Sequence, residues 1–347
     1  MLRDFLYSYV NPEYAYDYWH FPHMCSPRIA QGDYFIDFAP KSRYEGPFDE
    51  EGIPRLALAS QHWSRSDAVV YAPIVILQYA LGWYSRYKSE GDPEALRRFV
   101  HVAAWMRGYG RRANVASRPM LLFPTDYGRG ETLSAMAQGL AVSVWCRAFK
   151  ETGDSGYVGD ALLAFAPFLV DVEDGGVRDW FGRFPVLQEW ANYRHHPVNG
   201  HLFAFAGIVD LLGLALESVA SAEVRRAYQE YLEGSLALCE ASTMGFWSRY
   251  TLMPSIVPNI ASLFYHSLHV EMVKGMRQLT GEPRFDHYAK VWAEQRGHLA
   301  YRLAAMVLKL LNRVELEVRD RTGMKVEHRV GSRPVGAAKR EPVVEGS

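Results

Sequence analysis

Four pairs of long apolar-periodic segments constrain the fold of this 347-residue chain more than any other feature. In each segment apolar residues recur at three- and four-residue spacing, over lengths that β-strands do not reach. The predicted pairs are 67–88 with 93–109, 131–151 with 157–170, 199–219 with 222–241, and 258–279 with 283–311. The sequence therefore predicts a mainly α fold built from helical hairpins.

Short polar turns join the two members of a pair, and three of them contain a glycine: Gly91, Gly153 and Gly281. Glycine adopts the left-handed conformation that commonly ends a helix. These glycines are 62 and 128 residues apart, which indicates a repeat of roughly 63 residues if the third turn falls near Ala220. Such hairpins close into an α/α toroid or stack into an open solenoid, and an irregular bundle stays an alternative. We expect a toroid of about four hairpins over residues 61–312.

The two ends of the chain differ from the repeats. Residues 1–60 are rich in tyrosine and broken by proline and glycine, so we predict an aromatic-rich arm that wraps the main body and contains little β structure. Alternating apolar residues between 314 and 330 predict a hairpin. The polar composition that follows predicts a disordered tail instead, so residues 313–347 are expected to form either a hairpin or such a tail.

Composition excludes several classes of protein. A formal net charge of -1 gives no global field that would select nucleic acid or an anionic membrane. The three cysteines are far apart, which predicts neither a disulfide framework nor a metal site. Cys146 and Cys239 lie in apolar helical stretches, which predicts buried thiols. The most apolar window, residues 201–219, is too polar to span a bilayer. With no apolar leader at the N-terminus, we expect a cytoplasmic protein.

Three connections between the pairs concentrate polar groups beside glycines. The first is residues 134–139, SAMAQG, which opens a helix and contains Gln138. The second, residues 188–200, combines a carboxylate, a phenol, an indole, imidazoles and an amide in Glu189, Tyr193, Trp190, His195 and Asn199. The third contains Trp247, Arg249, Tyr250, Asn259, Tyr265 and His269. Each has a structural explanation as well, namely a tightly packed helix start, a solvated loop, or a phenol that anchors a helix.

A pair of imidazoles in the third connection raises the question of a metal. His266 and His269 are three residues apart, but zinc requires further ligands and no HExxH pattern is present. We therefore predict no metal site. Tyr265 and His269 are four residues apart and share a helix face, so we expect the imidazole to orient the phenol.

Taken together, the three connections resemble the C-terminal catalytic domain of the D-glucuronyl C5-epimerases, which convert glucuronate to iduronate in heparosan-like chains. The motifs are residues 134–139 with Arg147-Ala148 downstream, Asn199-Gly200 before a helix, and Pro258-Asn259 followed by Tyr265, His266 and His269. The resemblance covers residues 50–297 in matching order. It implies an α/α toroid and a cofactor-independent isomerase that acts on an acidic polysaccharide.

The resemblance also implies which residues act. The family's tyrosine in the YHxxH motif corresponds to Tyr265, and its acidic residue corresponds to Glu189. Two further family tyrosines correspond to Trp190 and Trp247, so two phenols are replaced by indoles. We expect the nearby Tyr193 or Tyr250 to supply a replacement phenol.

Inversion at C5 removes a proton beside a carboxylate and returns one to the opposite face, so an acid and a base must flank the ring. We predict that Glu189 and Tyr265 form this pair, without assigning which abstracts first. The negative charge that develops on the uronate requires a clamp, for which Arg249, Asn199, His195 and His269 are the candidates. Further substrate contacts are expected from Tyr193, Tyr250, Trp190, Trp247, Gln138 and Asn259. No cofactor is expected.

Two other functions stay open. The same toroid suits a uronyl hydrolase or lyase, for which Asp179 and Glu189 offer two carboxylates, with Asp126 and Glu131 on another connection. The indoles of Trp190 and Trp247 suit a glycan-binding pseudoenzyme, because indoles stack on sugars but transfer protons poorly. The expected partner in every case is an acidic polysaccharide, with neither nucleic acid nor a membrane span, and a homodimer is left open.

Overall fold

Pairs of helices make up most of the computed structural model. The structure describes residues 3, 7, 9–11, 20, 23–60, 66–126, 131–192, 195–214 and 218–322. Within these residues the helices are α1 (Pro73–Glu90), α2 (Pro93–Tyr109), α3 (Ala135–Thr152), α4 (Gly156–Phe165), α5 (Val198–Leu212), α6 (Ser218–Ser242), α7 (Leu263–Thr280), α8 (Arg284–Gly297) and α9 (Leu299–Thr322). The prediction of a mainly helical fold is confirmed.

The glycines predicted to end the first helix of a pair do so. Gly91, Gly153 and Gly281 follow α1, α3 and α7 with φ values of 70°, 74° and 73°. Each donates its backbone N–H to a carbonyl four residues earlier, which ends the helix in the left-handed cap. Residues 215–217, in the third turn, lie outside the described residues.

The first helices of the four pairs pack on one another in chain order, α1 on α3, α3 on α5 and α5 on α7. The backbones of α3 and α5 approach most closely at glycine. A Cβ atom at Gly139 would lie 2.4 Å from the Cα of Ala204, and one at Gly207 would lie 2.5 Å from the carbonyl oxygen of Gly139. The glycine of SAMAQG is therefore required for helix packing.

Short antiparallel strand pairs occupy the segments before and between the helical pairs. They are β1 (Leu56–Ala57) with β2 (Val69–Val70), β3 (Arg111–Val115) with β4 (Arg118–Leu122), β5 (Pro124–Thr125) with β6 (Thr132–Leu133), and β7 (Arg178–Phe181) with β8 (Phe184–Leu187). β5 and β6 precede α3 in the chain, and β7 and β8 precede α5. β4 packs on α4, and β8 packs on α5 and α6.

The N-terminal arm contacts both the first and the last helix of the packed row. The backbone N–H of Phe38 donates to the hydroxyl of Ser85 on α1 over 3.3 Å. Phe35 packs so closely on α7 that a Cβ atom at Gly275 would lie 2.8 Å from its ring. Within residues 33–38 the arm forms one β-bridge, from Ile36 to Cys25.

A buried ion pair ties the arm to two helices of the row. The guanidinium of Arg147 on α3 forms two bonds to the carboxylate of Asp210 on α5, of 2.5 and 3.1 Å. The same guanidinium donates to the backbone oxygen of Asp33 in the arm over 2.9 Å. Because a buried guanidinium requires such partners, Arg147 serves the fold.

The C-terminal region differs from the prediction in two places. The helix expected over 283–311 is broken at His298 into α8 and α9, and α9 continues through 313–322, where a hairpin was the first alternative. Val314, Leu316 and Val318 are 58, 41 and 50% exposed, respectively. Their alternation therefore does not mark the buried face of a strand. Residues 323–347, with the predicted tail, lie outside the described residues.

The burial of the cysteines and the polarity of the helices were both expected from the sequence. Cys146 and Cys239 are buried, as predicted, and all three cysteines are free thiols. None of the helices in the described ranges combines the length and the apolar character that crossing a bilayer demands.

Candidate functional site

Two connections carry the candidate residues to the N-terminal ends of α5 and α7. Glu189 and His195 lie between β8 and α5, and Tyr265 lies in the first turn of α7, where Ser262 caps the helix by accepting the N–H of Tyr265. The second connection, residues 243–262, is called the Tyr250 loop below. The two connections meet where the N–H of Leu252 donates to the carbonyl of His195 over 3.1 Å.

Glu189, Tyr250 and Tyr265 come together at this meeting point. The rings of Tyr250 and Tyr265 are 4.6 Å apart between centroids. Burial, the neighbouring phenol of Tyr265 and the carboxylate of Glu189 raise the pKa of Tyr250 well above its ordinary value. The phenol of Tyr250 therefore stays protonated at neutral pH. With His195, these three residues form what we call the Glu189 cluster.

The carboxylate of Glu189 is buried and only partly satisfied. Its Oε2 atom lies 3.8 Å from Nε2 of His195, beyond hydrogen-bond distance. That oxygen has no hydrogen-bond partner among the described residues. A Cβ atom at Gly200 would lie 2.7 Å from the Cβ of Glu189 and 3.0 Å from Oε2. The glycine of the Asn-Gly motif therefore makes room for the carboxylate.

Two more predicted site residues have buried polar atoms that lack hydrogen-bond partners in the described part of the chain. They are Oδ1 of Asn199, in the first turn of α5, and Nε of Arg249, in the Tyr250 loop. A buried polar atom without a partner costs free energy. A ligand that brings hydroxyl and carboxylate groups would satisfy such atoms.

Asp179 belongs to a separate polar group. It receives hydrogen bonds from the Gln188 amide, over 2.9 Å, and from its neighbour Trp180, and it lies 3.2 Å from Nε2 of His196. Burial alone would raise the pKa of Asp179, but the bonds from His196, Gln188 and Trp180 outweigh burial and lower it. His196 holds a left-handed backbone, with φ of 46°. The group fixes the connection that carries Glu189.

The structure differs from the sequence prediction at Gln138 and Trp247, which we expected to contact substrate. Gln138 is fully buried and accepts the N–H of Phe123 over 2.8 Å, while its amide donates to two backbone carbonyls. The indole of Trp247 is fully buried, donates to the carbonyl of Ala261 over 2.9 Å and stacks on His266. Both residues lie in the core, and their polar side-chain groups already form hydrogen bonds within the protein.

The two imidazoles of the YHxxH motif also lie in the core. Nδ1 of each ring lies within hydrogen-bond distance of the hydroxyl of Ser248, 2.8 Å for His266 and 3.0 Å for His269. His266 bonds through Nε2 to the carbonyl of Trp292, whereas Nε2 of His269 lacks a partner among the described residues. His269 therefore does not orient the phenol of Tyr265 by a hydrogen bond. In the same residues no group of three His, Cys, Asp or Glu side chains is arranged to hold a metal ion.

Three further residues were predicted to contact substrate, namely Asn259, Trp190 and Tyr193. Asn259 organises the Tyr250 loop, because its carbonyl accepts the N–H of Tyr250 over 2.7 Å and its amide donates to Thr251 over 3.0 Å. Trp190 is partly buried against the core. Tyr193 lies outside the described residues.

One residue beside the site was missed by sequence reasoning. Lys309 on α9 places its ammonium 5.1 Å from the ring centre of Tyr250 and bonds to Asn259 over 2.8 Å. The available signal was its position between Leu308 and Leu310, with Asn312 and Glu315 at three-residue spacing. Such a polar stripe within an apolar helix is typical of buried polar contacts.

Known proteins are similar in sequence to the segment that contains these residues. Residues 129–294 match the family described as the D-glucuronyl C5-epimerase C-terminus. A curated D-glucuronyl C5-epimerase from Caenorhabditis elegans is 29% identical over 198 residues, which cover 52% of this chain and 30% of that protein. Residues 129–294 of this chain are thus similar to the C-terminal domain of the D-glucuronyl C5-epimerases. The chain spans less than a third of the length of the relative from Caenorhabditis elegans.

Proposed function

We propose that the chain is a uronate C5-epimerase that converts D-glucuronate to L-iduronate within an acidic polysaccharide. One observation carries the proposal. The carboxylate of Glu189 and the phenols of Tyr250 and Tyr265 meet inside the segment that matches the epimerase family. A carboxylate and a phenol supplied by different helical pairs are the groups that a two-face proton transfer requires.

In the forward direction, Glu189 accepts the proton from C5. Its buried Oε2 atom has no hydrogen-bond partner among the described residues, which leaves a lone pair free to act as the base. Tyr265, in contact with Tyr250, returns a proton to the opposite face of C5. The raised pKa of Tyr250 keeps this neighbouring phenol protonated. In the reverse direction the two roles exchange, and both groups re-equilibrate with water between turnovers.

The carbanionic intermediate places negative charge on the uronate carboxylate, so donors must surround that group. We assign this role to Arg249, whose buried Nε donor has no hydrogen-bond partner in the described chain. The unpartnered atom of Asn199 is Oδ1, an acceptor, so we assign Asn199 to a hydroxyl group of the sugar instead. His195, next to Glu189, is the second candidate for the carboxylate. The planar fork of Arg249 suits bidentate binding of a carboxylate.

We also infer that the four helical pairs close into an α/α toroid. The support is the arm, which contacts α1 through Phe38 and α7 through Phe35, the two ends of the packed row. In this arrangement the N-terminal ends of α3, α5 and α7 surround one mouth. The Glu189 cluster then lies at that mouth, where a long polymer has access.

Two observations favour epimerisation over the other functions. A hydrolase needs a second available carboxylate near Glu189, but Asp179 already bonds to Gln188, to the N–H of Trp180 and to His196. A glycan-binding protein would use the indole of Trp247, but that ring is fully buried. These observations count against a hydrolase and against a binding protein that uses Trp247. A lyase also removes the proton at C5, so the polymer-length measurement below separates it from an epimerase.

The test is incubation of the full chain with glucuronate polymers in D2O, followed by NMR of C5 and measurement of polymer length. We expect deuterium at C5, new iduronate and unchanged length. Shortened chains would establish a hydrolase or a lyase. Tight binding of the polymer with no exchange at C5 would establish a binding protein.

A further inference from the structure

The last described helix, α9, lies outside the family match at 129–294 but contacts the Tyr250 loop directly. The carboxylate of Glu315 accepts the backbone N–H groups of Ile256 and Val257 over 3.0 and 2.7 Å. Three residues earlier on α9, the amide of Asn312 donates to the carbonyl of Val257 over 2.9 Å. One face of α9 thus binds one side of the loop.

Lys309 is the next polar residue along this face. Its ammonium donates to the side-chain oxygen of Asn259 and to the carbonyl of Ile260, both over 2.8 Å. It also lies 5.1 Å from the ring centre of Tyr250. A cation at this distance from an aromatic ring is attracted to the ring face. Lys309 therefore contacts Tyr250 both directly and through Asn259, whose carbonyl binds the N–H of Tyr250.

We propose that Lys309 is a positioning residue, which holds the ring of Tyr250 against Tyr265 and so sets the geometry of the phenol pair. The proposal rests on the proposed function only for the role of that pair. The contacts of Asn312 and Glu315 anchor the far side of the loop, whereas those of Lys309 reach the ring itself. This helix thus contributes to the site although it lies beyond the family match.

The environment of Lys309 fits such a role. Burial, and to a lesser extent the charge of Arg313 on the same helix, lowers the pKa of Lys309 to about 7. A surface lysine used only for solubility would be solvated, whereas this one is kept among backbone and ring partners. The contacts to Asn259, Ile260 and Tyr250 hold the amino group of Lys309 in this position.

The test compares three variants of the full chain with the wild type. Lys309→Met keeps the aliphatic stem and removes the ammonium, Lys309→Gln keeps a donor without the charge, and Asn312→Leu removes a loop anchor that does not touch Tyr250. Tyrosines labelled with 13C at Cζ report on the phenols, and Tyr250→Phe identifies the signal of Tyr250. Deuterium uptake at C5 gives kcat and KM.

We expect the Tyr250 signal to shift in Lys309→Met, to shift less in Lys309→Gln, and to stay in place in Asn312→Leu. We expect kcat of Lys309→Met to fall between about tenfold and a hundredfold, with KM within about twofold, because misplaced catalytic groups cost this much. If Lys309→Met does not fold, Lys309→Gln decides the question. An unchanged Tyr250 signal in the folded Lys309 variants, or an equal loss of kcat in Asn312→Leu, would overturn the proposal. If the wild type takes up no deuterium, the proposed function fails, and the NMR signal alone still tests the positioning role.

Discussion

The backbone of Gly200 lies against the side chain of Glu189, so that a Cβ atom at position 200 would be 2.7 Å from the Cβ of Glu189. Real Cβ atoms do not approach another carbon so closely, and Glu189 or the first turn of α5 would have to shift. The Asn-Gly motif is thereby explained by packing around the proposed base. The glycine is needed for the space it leaves, not for a special backbone conformation.

Gly200→Ala should therefore displace Glu189. We expect the rate of deuterium exchange to fall between about tenfold and a hundredfold, because a shift of about 1 Å in a catalytic group has this effect. The free energy of unfolding should fall by about 1–3 kcal/mol from overpacking. Gly159→Ala in α4 is the matched control, since a Cβ atom there meets nothing within 4 Å. Full activity in a folded Gly200→Ala variant would refute the placement of Glu189.

A second pair of variants distinguishes the catalytic role proposed for Tyr250 from the structural role of Trp247. Tyr250→Phe removes the hydroxyl that faces Tyr265, so we expect a large loss of kcat and a stability change of no more than about 1–2 kcal/mol. Trp247→Phe removes the bond to the carbonyl of Ala261 inside the core. It should lower the melting temperature and spare the kcat of the folded protein. The reverse pattern would mean that Tyr250 is not the replacement phenol.

The helical pairs could be predicted because their information is local. Apolar spacing defines each helix, and glycines such as Gly153 mark the turns, so no knowledge of distant contacts is needed. The end of the chain was harder to predict. Alternation at residues 314–318 resembles a strand, yet these residues continue α9, because the packing of Lys309, Asn312 and Glu315 on the Tyr250 loop stabilises a helix there.

The site was only partly predictable for the same reason. Glu189 and Tyr265 were identified from a motif. In the structure the ring of Tyr265 contacts that of Tyr250, and Glu189 lies close enough to raise the pKa of Tyr250. Burial, in contrast, depends on which surfaces the tertiary fold covers. Gln138 and Trp247 have the chemistry of binding residues but are fully buried. No sequence pattern separates such residues from those that line a site.

Acid should destabilise the protein through buried imidazoles. Burial lowers the pKa of both His201 and His269 from 6.5 to about 3, and neither ring is exposed. Between pH 6.5 and 3 the unfolded chain binds protons that the folded chain does not, so stability is lost as pH falls. Each group contributes at most about 1.4 kcal/mol per pH unit.

The predicted loss of stability in acid can be checked by urea unfolding at a series of pH values from 7 to 4. We expect the free energy of unfolding to decrease steadily over the series. His201→Asn should be less stable at pH 7, because the bonds of His201 to Leu187 and Ser235 are weakened. Its stability should nevertheless depend less steeply on pH. A His201→Asn variant with the slope of the wild type would show that His201 is protonated in the folded protein.

The central claim is that Glu189 and Tyr265 transfer protons at C5, and the most direct test is the initial rate of deuterium uptake from D2O into a glucuronate polymer. The wild type should place deuterium at C5 and form iduronate. Tyr265→Phe and Glu189→Gln should each lower the rate between about a hundredfold and ten-thousandfold, the usual contribution of general acid–base groups. Their stability should change by no more than about 1–2 kcal/mol. A wild type that leaves C5 unlabelled in every glucuronate polymer, or a Tyr265→Phe variant that melts early yet keeps most of its rate, would contradict the claim.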